Sequence, residues 1–220
     1  MTWRGTPCRN FNVGEHRRQC AVIPQTSDFF SSDNASANEQ RNAIALAVLH
    51  NSLLWLYGTG GGIAILDATN TTALRRRMVL QAVADYARTR HVAPPHVIFL
   101  EIICHDTAVL RSNMIQKCTN SPDYRELPLE KALDDLQKRI LEYERVYETV
   151  DEDLEDTESP LGPISYIKLI NLREKVRGLS ALQYSCFLSL LSLELSDALR
   201  PGLPYCRLSV VIYGDRYSMA

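Results

Sequence analysis

The chain is short of the features that would tie it to a membrane, a metal or a polyanion. No run of about 18 apolar residues occurs. The most apolar segment, Leu182 to Leu195, is interrupted by Gln183, by serines and by Glu194, and reads as a core helix. Met1 to Val13 carries charges and no apolar leader core, so no secretory signal is expected. None of the six cysteines (Cys8, Cys20, Cys104, Cys118, Cys186, Cys206) stands in a CxxC pair. The five histidines (His16, His50, His91, His96, His105) lack metal-ligand spacing. Free thiols and a cytoplasmic location are the expectation. Nor is there an excess of positive charge. Lys and Arg number 24 against 26 Asp and Glu, net −2, which argues against nucleic acid or an anionic lipid surface as partner.

What is present describes a soluble globular protein. Of 220 residues, 45% are hydrophobic and 23% charged, which excludes whole-chain disorder and allows one large domain or two small ones. The charge is unevenly placed. Asp151 to Glu158 (DEDLEDTE) holds six carboxylates in eight positions and, with Pro160 to Pro163, reads as a solvated linker. The remainder has 24 basic against 20 acidic side chains, a mild excess that suits small anionic ligands.

The pattern along the chain alternates strands and helices. Arg9 to Val13 reads as a short strand and Gly14 to Arg18 as the loop beyond it. Asn38 to Leu56 has helical periodicity, with Ala43, Leu46, Ala47, Leu49, Leu53, Leu54 and Leu56 as its apolar face, and GTGGG (Gly58 to Gly62) ends it. Gly62 to Asp67 and Val97 to Cys104 are continuous apolar runs of the kind buried on both faces of a parallel sheet. Helices are expected over Ala73 to Arg88, from Asp106 through Gln116, from Pro128 to about Tyr147 and over Ser180 to Ala198. Tyr166 to Leu172 and Leu208 to Ile212 read as strands. The class is α/β, with ligands expected beyond the carboxyl ends of the strands.

Two constellations carry chemistry. Asp67 closes a buried strand, the Walker B arrangement, where a carboxylate can hold a magnesium water or take a proton from an attacking hydroxyl. Thr69 to Thr72 follows with hydroxyls and backbone N–H groups at a helix start. The same pattern is also that of an Asx turn and a good cap. Arg17, Arg41, Arg75 and Arg139 follow different elements and can reach one rim, where guanidinium forks suit a phosphate. Any one of them is also readable as an ordinary solvated arginine.

Several segments resemble the kinase domain of the 6-phosphofructo-2-kinase/fructose-2,6-bisphosphatase family: GTPCRNFNVGEHRR from Gly5, DFFSSDN from Asp28, ILDATNTT with RRRM from Ile65, FLEIICHD from Phe99, NSPDY from Asn120, DDLQKRILEYERVYETVDED from Asp134 and SYIKLIN from Ser165. They keep the family's order between about Gly5 and Arg177. The resemblance implies transfer of the ATP γ-phosphoryl to the 2-hydroxyl of fructose 6-phosphate, with ATP and Mg2+. It implies Asp67 as catalytic and Cys104 as an active-site-proximal thiol, although a thiol after an apolar strand is usually packing. It implies Arg17, Arg41, Thr69, Arg75, Arg139 and Tyr143 as fructose 6-phosphate contacts, and Asn113 and Lys117 on the nucleotide side.

The departures bear on this. No GxxxxGK followed by Ser or Thr occurs, and GTGGG lacks the Lys and precedes a strand instead of opening a helix. The expectation is a P-loop kinase-like parallel sheet flanked by helices, incomplete, with the first strand and Walker A missing. A partial kinase-like domain would span residues 1–178, and a C-terminal helix and divergent tail residues 179–220. The lysine that the family places before SPDY falls on Cys118, with Lys117 one position earlier. Ala73 replaces a basic residue, Tyr86 to Pro95 reads as a longer surface loop, and no bisphosphatase RHG signature follows the final strand. The alternative is an inactive relative that binds a sugar phosphate or an intact family member. No nucleic acid or membrane partner is expected; a homo-oligomer is left open.

Overall fold

The computed structural model describes residues 2–3, 6–20, 27–151, 155–157, 159–171, 175–179 and 206–214. The chain runs β1 (Thr2–Trp3), β2 (Thr6–Asn12), α1 (Val13–Gln19), a 3-10 turn (Ser27–Phe30), α2 (Ala35–Gly58), β3 (Gly62–Asp67), α3 (Ala73–Arg90) and β4 (His96–Ile103). It continues through α4 (Thr107–Asn120), a 3-10 turn (Pro122–Tyr124), α5 (Leu129–Arg145), β5 (Ser165–Ile170), β6 (Lys175–Leu179) and β7 (Cys206–Gly214). The helix expected over Ser180 to Ala198 lies outside the described residues.

One seven-stranded sheet has the order β1-β2-β3-β7-β4-β5-β6. β2 pairs parallel with β3 and β4 with β5, as the buried runs predict. β7 enters between β3 and β4 and is antiparallel to both. β2, β3, β4 and β5 therefore point one way and share one carboxyl rim. The expected α/β architecture forms; the central position of the last strand is what the sequence did not disclose.

Helices α2 and α3 supply Val48, Leu49, Leu53, Leu56, Val79, Leu80 and Val83 to the main core. There they meet Ala64 and Leu66 of β3, Phe99 of β4 and Val210 and Ile212 of β7. The alternate residues Ile63, Ile65, Ile98, Leu100 and Ile102 project to the other face of the sheet and are buried too, which explains the unbroken apolar runs. The inward face of α2 keeps the expected Leu49, Leu53 and Leu56, with Leu46 partly buried against the core, and departs from the expected one at its other positions. It is Ile44, Ala45, Val48, Leu49, Ser52, Leu53 and Leu56, while Ala43 and Ala47 are exposed and Leu54 is 41% exposed. Alanine-rich helices carry too weak a contrast between faces to settle the phase by composition.

Local chemistry fixes the element ends. Gly60 and Gly61 have φ of 66° and 113°, so α2 ends in backbone that side chains disfavour. At Gly62 a Cβ would lie 2.7 Å from the Pro7 carbonyl oxygen, so glycine is what lets β3 start against β2. Residues Gly14 to Arg18, expected as loop, are helical in α1. Asn12 caps its start by accepting from Glu15 N–H at 2.7 Å, and His16, Arg17 and Arg18 complement the carboxyl end of its dipole. The expected loop from Tyr86 is shorter than read: α3 continues to Arg90, Tyr86 is in the core, and His91 ends the helix in the left-handed region at φ 54°.

Candidate functional site

The carboxyl rim begins with Asn12 and Asp67, opposite each other at the ends of β2 and β3. Asn12 Nδ2 donates to Asp67 Oδ2 at 2.6 Å while its Oδ1 caps α1. One amide therefore fixes both the strand-end carboxylate and the helix that carries Arg17.

Two residues beyond Asp67, Thr69 hydrogen-bonds Tyr143 of α5. Tyr143 is the meeting point of the sequence-predicted residues. Burial pushes its phenol pKa up, opposed by the nearby charges of Arg41, Arg17 and Arg139 and by the Thr69 contact. Its ring packs 6.0 Å from Phe30, whose ring in turn carries Arg17 at 5.1 Å and Arg139 at 4.5 Å. Phe29 stands edge-on to Phe30 and takes Arg41 at 5.8 Å. The structure thus gathers Arg17, Arg41, Thr69, Arg75, Arg139 and Tyr143 from α1, α2, the β3–α3 loop, α3 and α5. Cation–π contact of this kind contributes about 0.5–2 kcal/mol per pair and holds a guanidinium without neutralising it.

The four arginines divide into two kinds. Arg17 and Arg139 have carboxylate partners. Arg17 Nη2 is 2.7 Å and Arg139 Nη1 3.4 Å from Asp123 Oδ2, and Arg139 Nε is 2.7 Å from Asp135. Arg41 and Arg75 bond neutral acceptors: the carbonyls of Phe29 and Ser31 and the Asn38 amide for Arg41, the Asn42 amide and the Arg41 carbonyl for Arg75. Arg75 Nε is buried and meets no acceptor among the described residues. Burial, then the neighbouring Arg41, lowers the Arg75 pKa to about 10, with Tyr143 opposing. Burial lowers Arg41 as well, against Tyr143 and Glu142. Two desolvated cations side by side, one with an orphan donor, are a place where an anion is stabilised.

Behind this cluster the Asp67–Thr72 loop is held by a strap. Arg76, fully buried in α3, reaches the carbonyls of Asn70 (3.3 Å), Glu148 (2.9 Å) and Thr149 (3.4 Å) and pairs with Glu155 through Nε at 2.8 Å and Nη2 at 2.5 Å. Glu148 N–H donates to the Thr71 carbonyl at 2.8 Å, and Asn70 has φ 41°. The acidic run is therefore not wholly a solvated linker. Glu155 is 9% exposed in its ion pair, and Asp156 accepts from Ile164 N–H at 2.7 Å.

The remaining predicted residues stand on the β4–α4 side. Cys104 lies one residue past β4, half-buried, with Sγ 4.0 Å from the Asp106 carbonyl. Helix α4 runs to Asn120, past the expected end at Gln116, so Asn113 and Lys117 lie one turn apart on one of its faces. Lys117 borders the arginine cluster through Cys118. Burial raises that thiol's pKa, and Lys117 and Arg139 both pull it down.

The sequence reading missed Asp123, Phe30 and Arg76. Each left a trace: Asp123 in the SPDY turn, Phe30 in the aromatic pair of SDFF, and Arg76 on the helical stripe of Val79, Leu80 and Val83.

A nucleotide triphosphate does not fit this rim. The 220 residues hold no GxxxxGK loop. The starts of α3 and α4 at the rim are capped by the chain's own acceptors. Thr72 Oγ1 accepts from Arg75 N–H at 3.1 Å, Glu148 Oε2 from Ala73 N–H at 2.6 Å, and Asp106 Oδ1 from Ala108 and Val109 N–H at 2.9 and 3.1 Å. For magnesium, no group of three or more metal-ligating side chains occurs among the described residues.

Fold and site define a class: an α/β protein whose parallel strands end at an aromatic-backed cluster of guanidiniums suited to a small phosphate ester. The chain belongs to the 6-phosphofructo-2-kinase family, whose model matches residues 1–183. It is similar to 6-phosphofructo-2-kinase/fructose-2,6-bisphosphatase 3 of Rattus norvegicus and of Homo sapiens, each 37% identical over 172 residues, covering 78% of this chain and 29% and 31% of theirs. The Gallus gallus 6-phosphofructo-2-kinase/fructose-2,6-bisphosphatase is 36% identical over the same length and is covered to 34%. The chain spans about a third of the length of these curated relatives.

Proposed function

We propose that this protein serves fructose 2,6-bisphosphate metabolism by binding fructose 6-phosphate at the arginine cluster, as the acceptor side of a 6-phosphofructo-2-kinase. Arg41 and Arg75 take the 6-phosphate, with Arg17 and Arg139 held beside them by Asp123. Thr69 and Tyr143 offer hydroxyls to the sugar. Asp67, fixed by Asn12, is the carboxylate that would accept the proton of the 2-hydroxyl, with Cys104 at the edge of the site. In the kinase reaction ATP with Mg2+ would supply the phosphoryl group, which this rim does not itself hold; Asn113 and Lys117 on α4 are the residues that the resemblance sets on the nucleotide side. A cytoplasmic location belongs to the same proposal. Among the described residues no helix is long and apolar enough to cross a membrane.

The observation that carries this reading is the buried Arg75 Nε without an acceptor, next to Arg41. The test is titration calorimetry of fructose 6-phosphate into the wild type and an Arg75→Ala variant. One charge-assisted hydrogen bond of about 1.5–3 kcal/mol predicts a Kd raised about 10- to 100-fold. Equal affinities in two equally folded proteins would refute it.

A further inference from the structure

β3 and β4 are joined through α3 and run parallel, yet they are not neighbours. β7 lies between them, with Val210 opposite Leu66 and Gly214 opposite Gly62 on one side, and Cys206 opposite Ile103 and Tyr213 opposite His96 on the other. The direction of β7 decides what reaches the rim. A parallel strand there would leave the sheet beside Asp67 and could open a loop and a helix N-terminus, the device that cradles phosphate chains. β7 enters at that end instead, so the centre of the rim receives an arriving strand. The flanking helix starts add no open anion site: α3 is closed by the Glu148 carboxylate and Thr72, α4 by the Asp106 carboxylate. The arginine cluster draws on α1, α2, α3 and α5 and does not depend on β7.

We infer that β7 closes the middle of this sheet against a nucleotide, so that the chain takes a sugar monophosphate alone. The sugar half of this inference rests on the function proposed above; the nucleotide half rests on the topology and the capped helix starts.

The test uses the 220-residue chain in two measurements. Calorimetry with fructose 6-phosphate, with Mg-ATP and with both should show saturable binding of the sugar phosphate, no saturation by millimolar Mg-ATP, and a sugar affinity unchanged by Mg-ATP. Saturation by Mg-ATP at micromolar concentration would overturn the inference and leave the sugar reading standing. A cooperatively folding chain that binds neither ligand would overturn the sugar reading and leave the nucleotide exclusion standing. Amide hydrogen exchange then tests the strand itself. Val210–Ile212 should exchange as slowly as Ala64–Leu66. Exchange faster by about 100-fold at Val210–Ile212 would remove β7 from the sheet and with it the inference.

Discussion

Replacing Arg76 by Met tests how the Asp67–Thr72 loop is held. The side chain is fully buried and makes an ion pair to Glu155 together with contacts to three backbone carbonyls. Met keeps much of the volume and removes every donor. The Glu155 carboxylate is then left in a site where it is 9% exposed and without its cation. Breaking a buried pair this way costs about 3–5 kcal/mol, and the freed carbonyls add to that cost unless water reaches them. At a urea m-value of about 2–3 kcal/mol per molar, the midpoint should fall by about 1–2 M. Adding Glu155→Met to Arg76→Met removes the stranded carboxylate and should recover about half of the loss, the remainder being the carbonyls. The assay is equilibrium urea unfolding followed by tryptophan fluorescence and circular dichroism, with coincident transitions required. A single variant within about 1 kcal/mol of wild type would show that the Arg76 network does not hold the strap, and the reasoning would fail.

Other predictions follow from the same structure. Asp123→Asn removes the carboxylate shared by Arg17 and Arg139, both buried, and should cost about 3 kcal/mol in chemical unfolding. Phe99→Ala, in a fully buried position, should cost about 3–5 kcal/mol by the same measurement. Tyr57 donates to the Ala93 carbonyl at 2.7 Å, and burial, with Tyr86 beside it, raises its pKa from 10.0 to about 12. The fold therefore favours the neutral phenol. That stabilisation is complete below pH 10 and is lost as pH rises toward 12, because the unfolded chain gives up the proton first. The alkaline loss of stability should be smaller in Tyr57→Phe, and identical pH profiles for the two proteins would contradict it.

The parts of the fold legible in the sequence were those with one-dimensional signatures. The apolar runs ending at Asp67 and Cys104 announce buried parallel strands, and Thr72 and Asp106 announce helix starts by their capping chemistry, whereas the start of α2 at Asn34 lies ahead of the expected Asn38. Arg17, Arg41, Thr69, Arg75, Arg139 and Tyr143, which the family resemblance singles out, come together around Phe30 and Tyr143. What stayed hidden depends on pairing across the chain. Glu155 looks solvated until Arg76, 79 residues away, takes it into the core. Asp123 looks like a turn residue until two guanidiniums from α1 and α5 close on it. The place of β7 has no local signature at all, since an apolar strand reads the same at an edge and at a centre, parallel or antiparallel.

The central claim is that the guanidiniums gathered at Phe30 and Tyr143 await a phosphate ester, and a crystal structure at saturating fructose 6-phosphate tests it most directly. The account predicts the 6-phosphate within hydrogen-bond distance of Arg75 Nε and of the Arg41 guanidinium, with the sugar lying toward Asp67. A sugar phosphate bound elsewhere on the chain, with Arg75 Nε still lacking an acceptor, would contradict it.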